Sequence, residues 1–77
     1  MIKAYVLIQV QVGRSSEVSG EIVRIESVTS SDVVSGPYDV IAVAEAADID
    51  DLGKLVVARI QAVDGVTRTL TCPVLSL

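Results

Sequence analysis

The chain reverses direction at one point near its middle, and this turn divides it into two similar halves. Gly36 and Pro37 stand between two runs of strand-forming residues. Glycine adopts positive φ without steric cost and proline holds φ at about −65°, so the pair favours a tight turn. Tyr38 and Asp39 follow and place a ring and a carboxylate there. The turn either only joins two strands or also contributes a binding element.

The first half predicts a strand, a helix and a second strand. Residues 4–10 alternate between small or branched apolar residues on one face and Tyr5, Leu7 and Gln9 on the other, so both faces are at least partly apolar. A helix is predicted over residues 16–25, with Ser15 or Ser16 as its N-cap. Its apolar residues recur at helical spacing: Val18, Ile22 and Ile25. Residues 28–34 form the next predicted strand, which is rich in serine and suits a sheet edge.

The second half repeats this order. Residues 40–44 are a continuous apolar run that predicts a central strand. Asp48 is the expected N-cap of the second helix, and Asp50 and Asp51 then balance its positive end, which explains this acidic cluster better than a metal site does. Asp64 and Gly65 are expected to end the helix. Its apolar stripe consists of Leu52, Leu55, Val56, Ile60 and Val63.

The last predicted strand, residues 66–75, separates two kinds of side chain by alternation. Thr69 and Thr71 lie on one face, and Leu70 and Cys72 lie on the other. The threonines reflect ordinary strand propensity, or they are a row of hydroxyls lining a polar pocket between subunits. No histidine is present to activate Cys72, so we interpret it as an inert core thiol.

The element order β-α-β-β-α-β predicts an α+β, ferredoxin-like fold, in which two helices cover one face of a four-stranded antiparallel sheet. No helix remains for the other face, which carries Tyr5 and Leu7. Of the 77 residues, 51% are hydrophobic, which is more than one small core requires. We therefore expect the second face to be buried against another subunit.

Composition argues against several function classes. The net charge of −4 disfavours direct binding to nucleic acid or to an anionic membrane. The absence of histidine removes the commonest general base and metal ligand, so neither catalytic residues, nor a metal, nor a cofactor is predicted. A single cysteine fits a reducing, cytoplasmic compartment, and the apolar start is too short for a signal peptide or transmembrane helix.

The chain resembles the effector-sensing domain of the Lrp/AsnC (leucine-responsive and asparagine-responsive) family of transcription regulators, also called the RAM (regulation of amino-acid metabolism) domain. The similarity covers essentially the whole chain and is carried by the segments MIKAYVLI (1–8), GPYD (36–39) and VDGVTRTLT (63–71). Its most specific parts are the Gly-x-Tyr-Asp turn and the Gly-Val-x-x-Thr-x-Thr strand.

The resemblance implies a sheet-to-sheet dimer of the dimeric α/β-barrel type, often assembled into an octameric ring of four dimers. It also implies an effector, usually an amino acid, bound between dimers near the turn. This nominates Gly36, Tyr38 and Asp39, with Thr69 and Thr71 contributed by the fourth strand or by a neighbouring subunit. Asp39 either contacts the ligand or braces the turn.

The family's helix-turn-helix domain is missing from this sequence, so we expect a single stand-alone domain over residues 1–77 that does not bind DNA itself. Such a module binds its effector alone or joins full-length regulators. Two alternatives are a small dimeric α+β barrel enzyme, of the cofactor-independent monooxygenase or isomerase type, and a structural subunit that binds no ligand. An enzyme of that type should carry a polar, often histidine-bearing cavity.

Overall fold

The computed structural model describes all 77 residues and has the predicted order of elements. The bounds are β1 Ile2–Val10, α1 Ser15–Val23, β2 Val28–Val33, β3 Val40–Ala46, α2 Ile49–Leu55 and β4 Val66–Pro73. The four strands form one antiparallel sheet in the spatial order β2-β3-β1-β4. The predicted ferredoxin-like α+β fold is therefore confirmed.

Both helices pack against the same face of the sheet, which we call the covered face. Alternate residues of β1 and β3 point into it, and Val6, Ile8 and Val40 are fully buried. The predicted helical stripes supply the opposing layer, although Leu55 and Val63 are only partly buried. The core consists of Ala4, Val6, Ile8, Val18, Ile22, Ile25, Val28, Val40, Ala42, Ala44, Ala46, Leu52, Val56 and Ile60.

The two helices begin in different ways. The Asp48 carboxylate accepts a hydrogen bond from the Asp51 N–H at 2.8 Å, so the predicted N-cap of α2 is confirmed. The predicted serine cap of α1 is wrong, because Arg14 occupies the N-cap position and makes no side-chain capping bond. The Arg14 guanidinium instead binds Glu17 at 2.9 Å and Asp64 at 3.1 Å, and this holds the start of α1 against the loop before β4.

The second helix changes geometry before it ends. After Leu55 the backbone continues as a π-helical segment, Val56–Ile60, in which the Gln61 N–H donates to the Val56 carbonyl at 2.8 Å. The helix therefore ends before Asp64 and Gly65, and turns fill the interval. Gly65 adopts φ 101°, and a Cβ there would meet the Val18 side chain at 3.0 Å, so glycine is required at this point.

No helix covers the other side of the sheet, which we call the open face. Its apolar centre consists of Tyr5, Leu7, Ile41, Val43, Leu70 and Cys72. The prediction that Tyr5 and Leu7 remain uncovered within one chain is confirmed, and Tyr5 is 41% exposed. The interpretation of Cys72 as a core thiol is wrong. Cys72 lies opposite Tyr5 and is exposed, because the apolar side of β4 faces away from the helices. No helix is long and apolar enough to cross a membrane.

Candidate functional site

The turn between β2 and β3 forms one wall of a cavity of about 290 Å³, which we call the turn pocket. Gly36 and Tyr38 both line it, so the structure brings together two of the nominated residues. The remaining lining is Leu7, Val34, Ser35, Pro37 and Ile41. Because Leu7 and Ile41 belong to the open face, the turn pocket lies beside the surface that the helices leave uncovered.

Hydrogen bonds hold the turn against β1. The Asp39 N–H donates to the Ile8 carbonyl, and the Val34 N–H donates to the Asp39 carbonyl, both at 2.9 Å. The Gln9 side-chain amide donates to the Pro37 carbonyl at 2.9 Å. The turn is therefore fixed in position before any ligand arrives.

The Asp39 side chain completes this bracing. One of its carboxylate oxygens, Oδ2, accepts a hydrogen bond from the Val10 N–H at 2.9 Å in a partly buried position. The pairing of β1 with β4 shifts register between Gln9 and Val10, at the point where this bond forms. Asp39 does not line the turn pocket, and its second oxygen, Oδ1, accepts no hydrogen bond from the chain.

Three backbone donors of the turn have no partner within the chain. The N–H groups of Ser35, Gly36 and Tyr38 make no hydrogen bond to backbone or side-chain acceptors. Successive free N–H groups on a fixed turn can bind a carboxylate, since an anion accepts several such bonds at once. The lining of the turn pocket is thus almost wholly apolar, and the turn that forms one of its walls carries these three N–H donors.

Thr69 and Thr71 lie elsewhere. Thr69 pairs with Ile8 and Thr71 with Val6, so both threonines are on the covered face. The Thr69 hydroxyl accepts a hydrogen bond from the Gln61 side chain at 2.8 Å. Thr71 borders an apolar groove of about 330 Å³ beside α2. Within one chain, the two threonines and the turn pocket are on opposite sides of the sheet.

Sequence reasoning missed the apolar walls of the turn pocket. Leu7 precedes the turn by about thirty residues, and only the pairing of β1 with β3 brings it beside Ile41. The alternation of residues along β1 places Leu7 on the uncovered side, and this was the one sequence signal that could have indicated a wall there. A separate cavity of about 440 Å³, with a mixed polar and apolar lining, lies between the end of β3 and α2. It includes Lys54 and Arg59 and has no counterpart in the sequence patterns.

A family model described as the Lrp/AsnC ligand binding domain matches residues 3–77. No match was found among curated proteins. Among solved structures, TTHA0845 from Thermus thermophilus is 31% identical with a TM-score of 0.92, over 100% of this chain and 96% of that one. PHS023 from Pyrococcus horikoshii is 25% identical with a TM-score of 0.90, over 100% of this chain and 93% of that one.

A third structure is that of the transcriptional regulator NMB0573 from Neisseria meningitidis in complex with L-Met. It is 17% identical with a TM-score of 0.86, and the match covers 97% of this chain and 50% of the regulator. At that identity the likeness establishes the shared fold. The resemblance carried by the turn and the last strand is confirmed by the family match. Because that match extends over residues 3–77, the chain belongs to the Lrp/AsnC ligand-binding domain family.

Proposed function

We propose that this chain is an effector-binding regulatory module whose ligand is a free amino acid with an apolar side chain, bound in the turn pocket. The observation that carries the proposal is the pairing of free N–H donors with apolar walls on a turn that is already fixed. Membership of a ligand-binding domain family supports the general role. The complex of NMB0573 with L-Met supports the ligand class.

The chemistry of the turn pocket fits the two ends of such a ligand. The free N–H groups of Ser35, Gly36 and Tyr38 would receive the α-carboxylate. The side chains of Leu7 and Ile41 would contact the ligand's apolar side chain. Four hydrogen bonds join the turn to residues 8, 9, 10 and 34. Because the turn is already ordered, ligand binding costs little conformational entropy.

The two carboxylate oxygens of Asp39 have different roles in this proposal: one braces the turn and the other binds the ligand. Oδ2 is bound to the Val10 N–H, which braces the turn. Oδ1 is free to accept from the ligand's ammonium group, and a charge-assisted hydrogen bond of that kind contributes about 1.5–3 kcal/mol. The ammonium role remains a proposal that ligand titrations of Asp39 variants decide.

We also propose that the module works as a homo-oligomer. The open face is apolar at its centre, and Leu70 is 45% exposed in the isolated chain. Burial of this face against a second copy would form a dimer, and association of dimers, up to an octamer, would bring Thr69 and Thr71 of a neighbouring subunit towards the turn pocket. Light scattering of the purified protein at micromolar concentration is expected to show no monomer, and a stable monomer would contradict this assembly.

Regulation rather than catalysis is the role that family membership supports, so the small barrel enzyme is the less supported alternative. We propose that this domain does not itself bind DNA and that it passes its signal to full-length regulators.

A thermal-shift screen against the common amino acids tests the ligand class, because a ligand that binds only the folded state raises the melting temperature. We expect apolar amino acids to raise it and aspartate and lysine to leave it unchanged. Tyr38→Ala removes part of the wall of the turn pocket and should weaken the best ligand by about tenfold, as judged by calorimetry.

Val33→Ala is the matched control for that experiment. Val33 lies on the same hairpin, is 50% exposed and pairs with Val40 of the covered face. It should leave affinity unchanged. A screen with no stabilising amino acid, or equal affinities for wild type and Tyr38→Ala, would remove the turn pocket as the site.

A further inference from the structure

We propose that the largest cavity of the chain binds a short peptide of two or three residues through the peptide's two charged ends. The cavity has a volume of about 440 Å³ and lies between the end of β3 and α2, and we call it the helix cavity. Its volume is within the range of small-molecule sites. The inference goes beyond the proposed function, because the helix cavity shares no residue with the turn pocket.

The π-helical segment brings two basic side chains to this cavity. Lys54 and Arg59 both line it. In a regular α-helix, residues five positions apart lie about 140° apart around the axis, so they do not share a face. In the segment Val56–Ile60 the Gln61 N–H donates to the Val56 carbonyl, so each turn takes up an additional residue. Arg59 is thereby turned towards the face of Lys54. Turns of this kind occur frequently at functional sites.

Two acidic side chains line the same cavity nearer the start of α2. Asp51 belongs to the first turn of the helix, and Glu45 lies one residue before the end of β3. None of the four charged side chains of the helix cavity forms a salt bridge within the chain. Their charges sum to zero. A ligand of complementary chemistry therefore carries one positive and one negative group rather than a net charge.

The positions of these charges determine the length of the ligand. Arg59 follows Asp51 by eight residues, which corresponds to at most about 12 Å along the helix axis. A free amino acid carries both charges on one carbon atom and would leave one end of the cavity unpaired. An extended peptide spans about 3.3–3.6 Å per residue, so two or three residues reach between the acids and the bases.

Each end of the peptide then has its own partners. The ammonium group would meet Asp51 and Glu45. The carboxylate would meet Lys54 and Arg59, and an arginine can bind both carboxylate oxygens at once. Because the acids and the bases come from different turns of the helix, the direction of the bound peptide is fixed.

The loops that complete the wall carry polar groups without a partner in the chain. The N–H groups of Ser27 and Ala47 donate no hydrogen bond, and the Ser27 hydroxyl makes none. A peptide carbonyl can accept from such groups, whereas an alkyl chain cannot. Leu55 and Ala58 supply apolar contacts from the helix. The helix cavity therefore suits a peptide with small side chains better than an ω-amino acid.

Calorimetry with dialanine tests the ligand class, because dialanine has both end charges, one amide and small side chains. We expect dialanine to bind. N-acetyl-dialanine and dialanine amide, each of which lacks one end charge, should bind about tenfold more weakly. ε-Aminocaproate keeps both end charges without the amide and should also bind more weakly. Binding of ε-aminocaproate as tight as that of dialanine would overturn the assignment to a peptide.

Matched substitutions test the location. Asp51→Asn removes one charge of the cavity, keeps the backbone N–H that binds Asp48, and should weaken dialanine about tenfold. Asp50→Asn is its control, because Asp50 lies in the same helical turn and does not line the cavity. Arg59→Gln should also weaken dialanine about tenfold. Its control, Arg68→Gln, removes an exposed base outside the cavity and should have no effect.

N-acetyl-dialanine has no ammonium group, so it should bind Asp51→Asn and wild type equally. Equal affinities of Asp51→Asn and Asp50→Asn for dialanine would overturn the site. Dialanine that is weakened by Tyr38→Ala but not by Asp51→Asn would occupy the turn pocket, which would also overturn it. Absence of dialanine binding at millimolar concentration would do the same, whatever the amino-acid screen of the turn pocket shows.

Discussion

The covered and open faces of the same sheet are built from the same strands but differ in what closes them. On β1, Val6 and Ile8 point to the covered face and are fully buried, whereas Tyr5 and Leu7 point the other way and are not. Both sets are apolar. The comparison shows that an apolar strand residue is not thereby a core residue, since burial depends on which face has helices to cover it.

On β4 the polar residues, rather than the apolar ones, point to the covered face. Its threonines point to the covered face, near the edge of the helical layer, while Leu70 and Cys72 point to the open face. Thr69 is only partly buried there, and its hydroxyl accepts a hydrogen bond from the exposed Gln61 amide. The apolar residues of β4 therefore lie outside the core of the single chain, on the face that the helices leave uncovered.

The largest expected difference between the two faces is in folding stability. Ile60→Ala removes a fully buried side chain from the covered face and should lower the free energy of unfolding by about 2–5 kcal/mol. Leu70→Ala, on the open face, should cost the single chain less. Urea denaturation at one protein concentration measures both. Equal losses would mean that burial of the open face between copies stabilises the protein as much as the covered face does. Leu55→Ala should fall below this range, because Leu55 is only partly buried.

Association between copies should depend on the open face rather than on the helical layer. Val43→Asp places a charge at the apolar centre of the open face, and burial of an unpaired charge opposes association. If wild type forms the proposed dimer, we expect the mass of this variant by light scattering to be half that of wild type. Val57→Asp is the control, because Val57 is 65% exposed on the helical layer. A change in mass with Val57→Asp and none with Val43→Asp would place the interface on the helices.

The hydrogen bond between the Asp39 carboxylate and the Val10 N–H holds the turn. It should contribute less to the free energy of unfolding than a core side chain does. Asp39→Ala leaves the partly buried Val10 N–H without its acceptor and should lower the free energy of unfolding by about 1–3 kcal/mol. Asp39→Asn retains a side-chain oxygen and should cost less. Thermal denaturation without ligand compares them. If both variants melt like wild type, the Asp39–Val10 bond does not stabilise the turn.

The smallest effect is expected at the exposed start of α1. The hydrogen bond from Arg14, and then its positive charge, lowers the pKa of Glu17 from its ordinary value of 4.5. A carboxyl whose folded pKa is depressed stabilises the fold above its unfolded pKa, and that contribution is lost as pH falls through the folded pKa. Glu17→Gln should therefore reduce stability slightly at neutral pH and flatten its decline below about pH 4.5.

Glu26→Gln is the matched control for this titration, because Glu26 is exposed and has no salt bridge. Its pH profile of unfolding should follow that of wild type. A Glu17→Gln profile that also follows wild type would show that the Arg14–Glu17 pair does not contribute to stability in solution.

Much of this architecture could be predicted because its causes are local. The helical stripes, the Asp48 cap and the period-two alternation of β1 each depend on residues within a few positions of one another. The cap of α1 could not be predicted in the same way. Arg14 occupies the N-cap position, and its guanidinium binds Asp64, which is distant in sequence and reaches it only in the folded chain.

The candidate site was partly predictable for the same reason. Gly36 and Tyr38 are neighbours on one turn, so the sequence itself places them together. The Asp39 carboxylate finds the Val10 N–H across 29 positions, and the Leu7 wall arrives through strand pairing. Thr69 and Thr71 resemble a family motif, but alternation combined with the register of β4 puts them on the covered face.

The amino-acid sequence by itself determined the order of elements, the residues of the turn and the existence of two apolar sheet faces, since these follow from backbone preferences and short-range periodicity. Only the tertiary structure decided which face the helices cover, which side of β4 is open and where the Asp39 carboxylate finds its partner. These depend on strand pairing and helix packing between distant segments, and a shift of one residue in register would exchange the two faces.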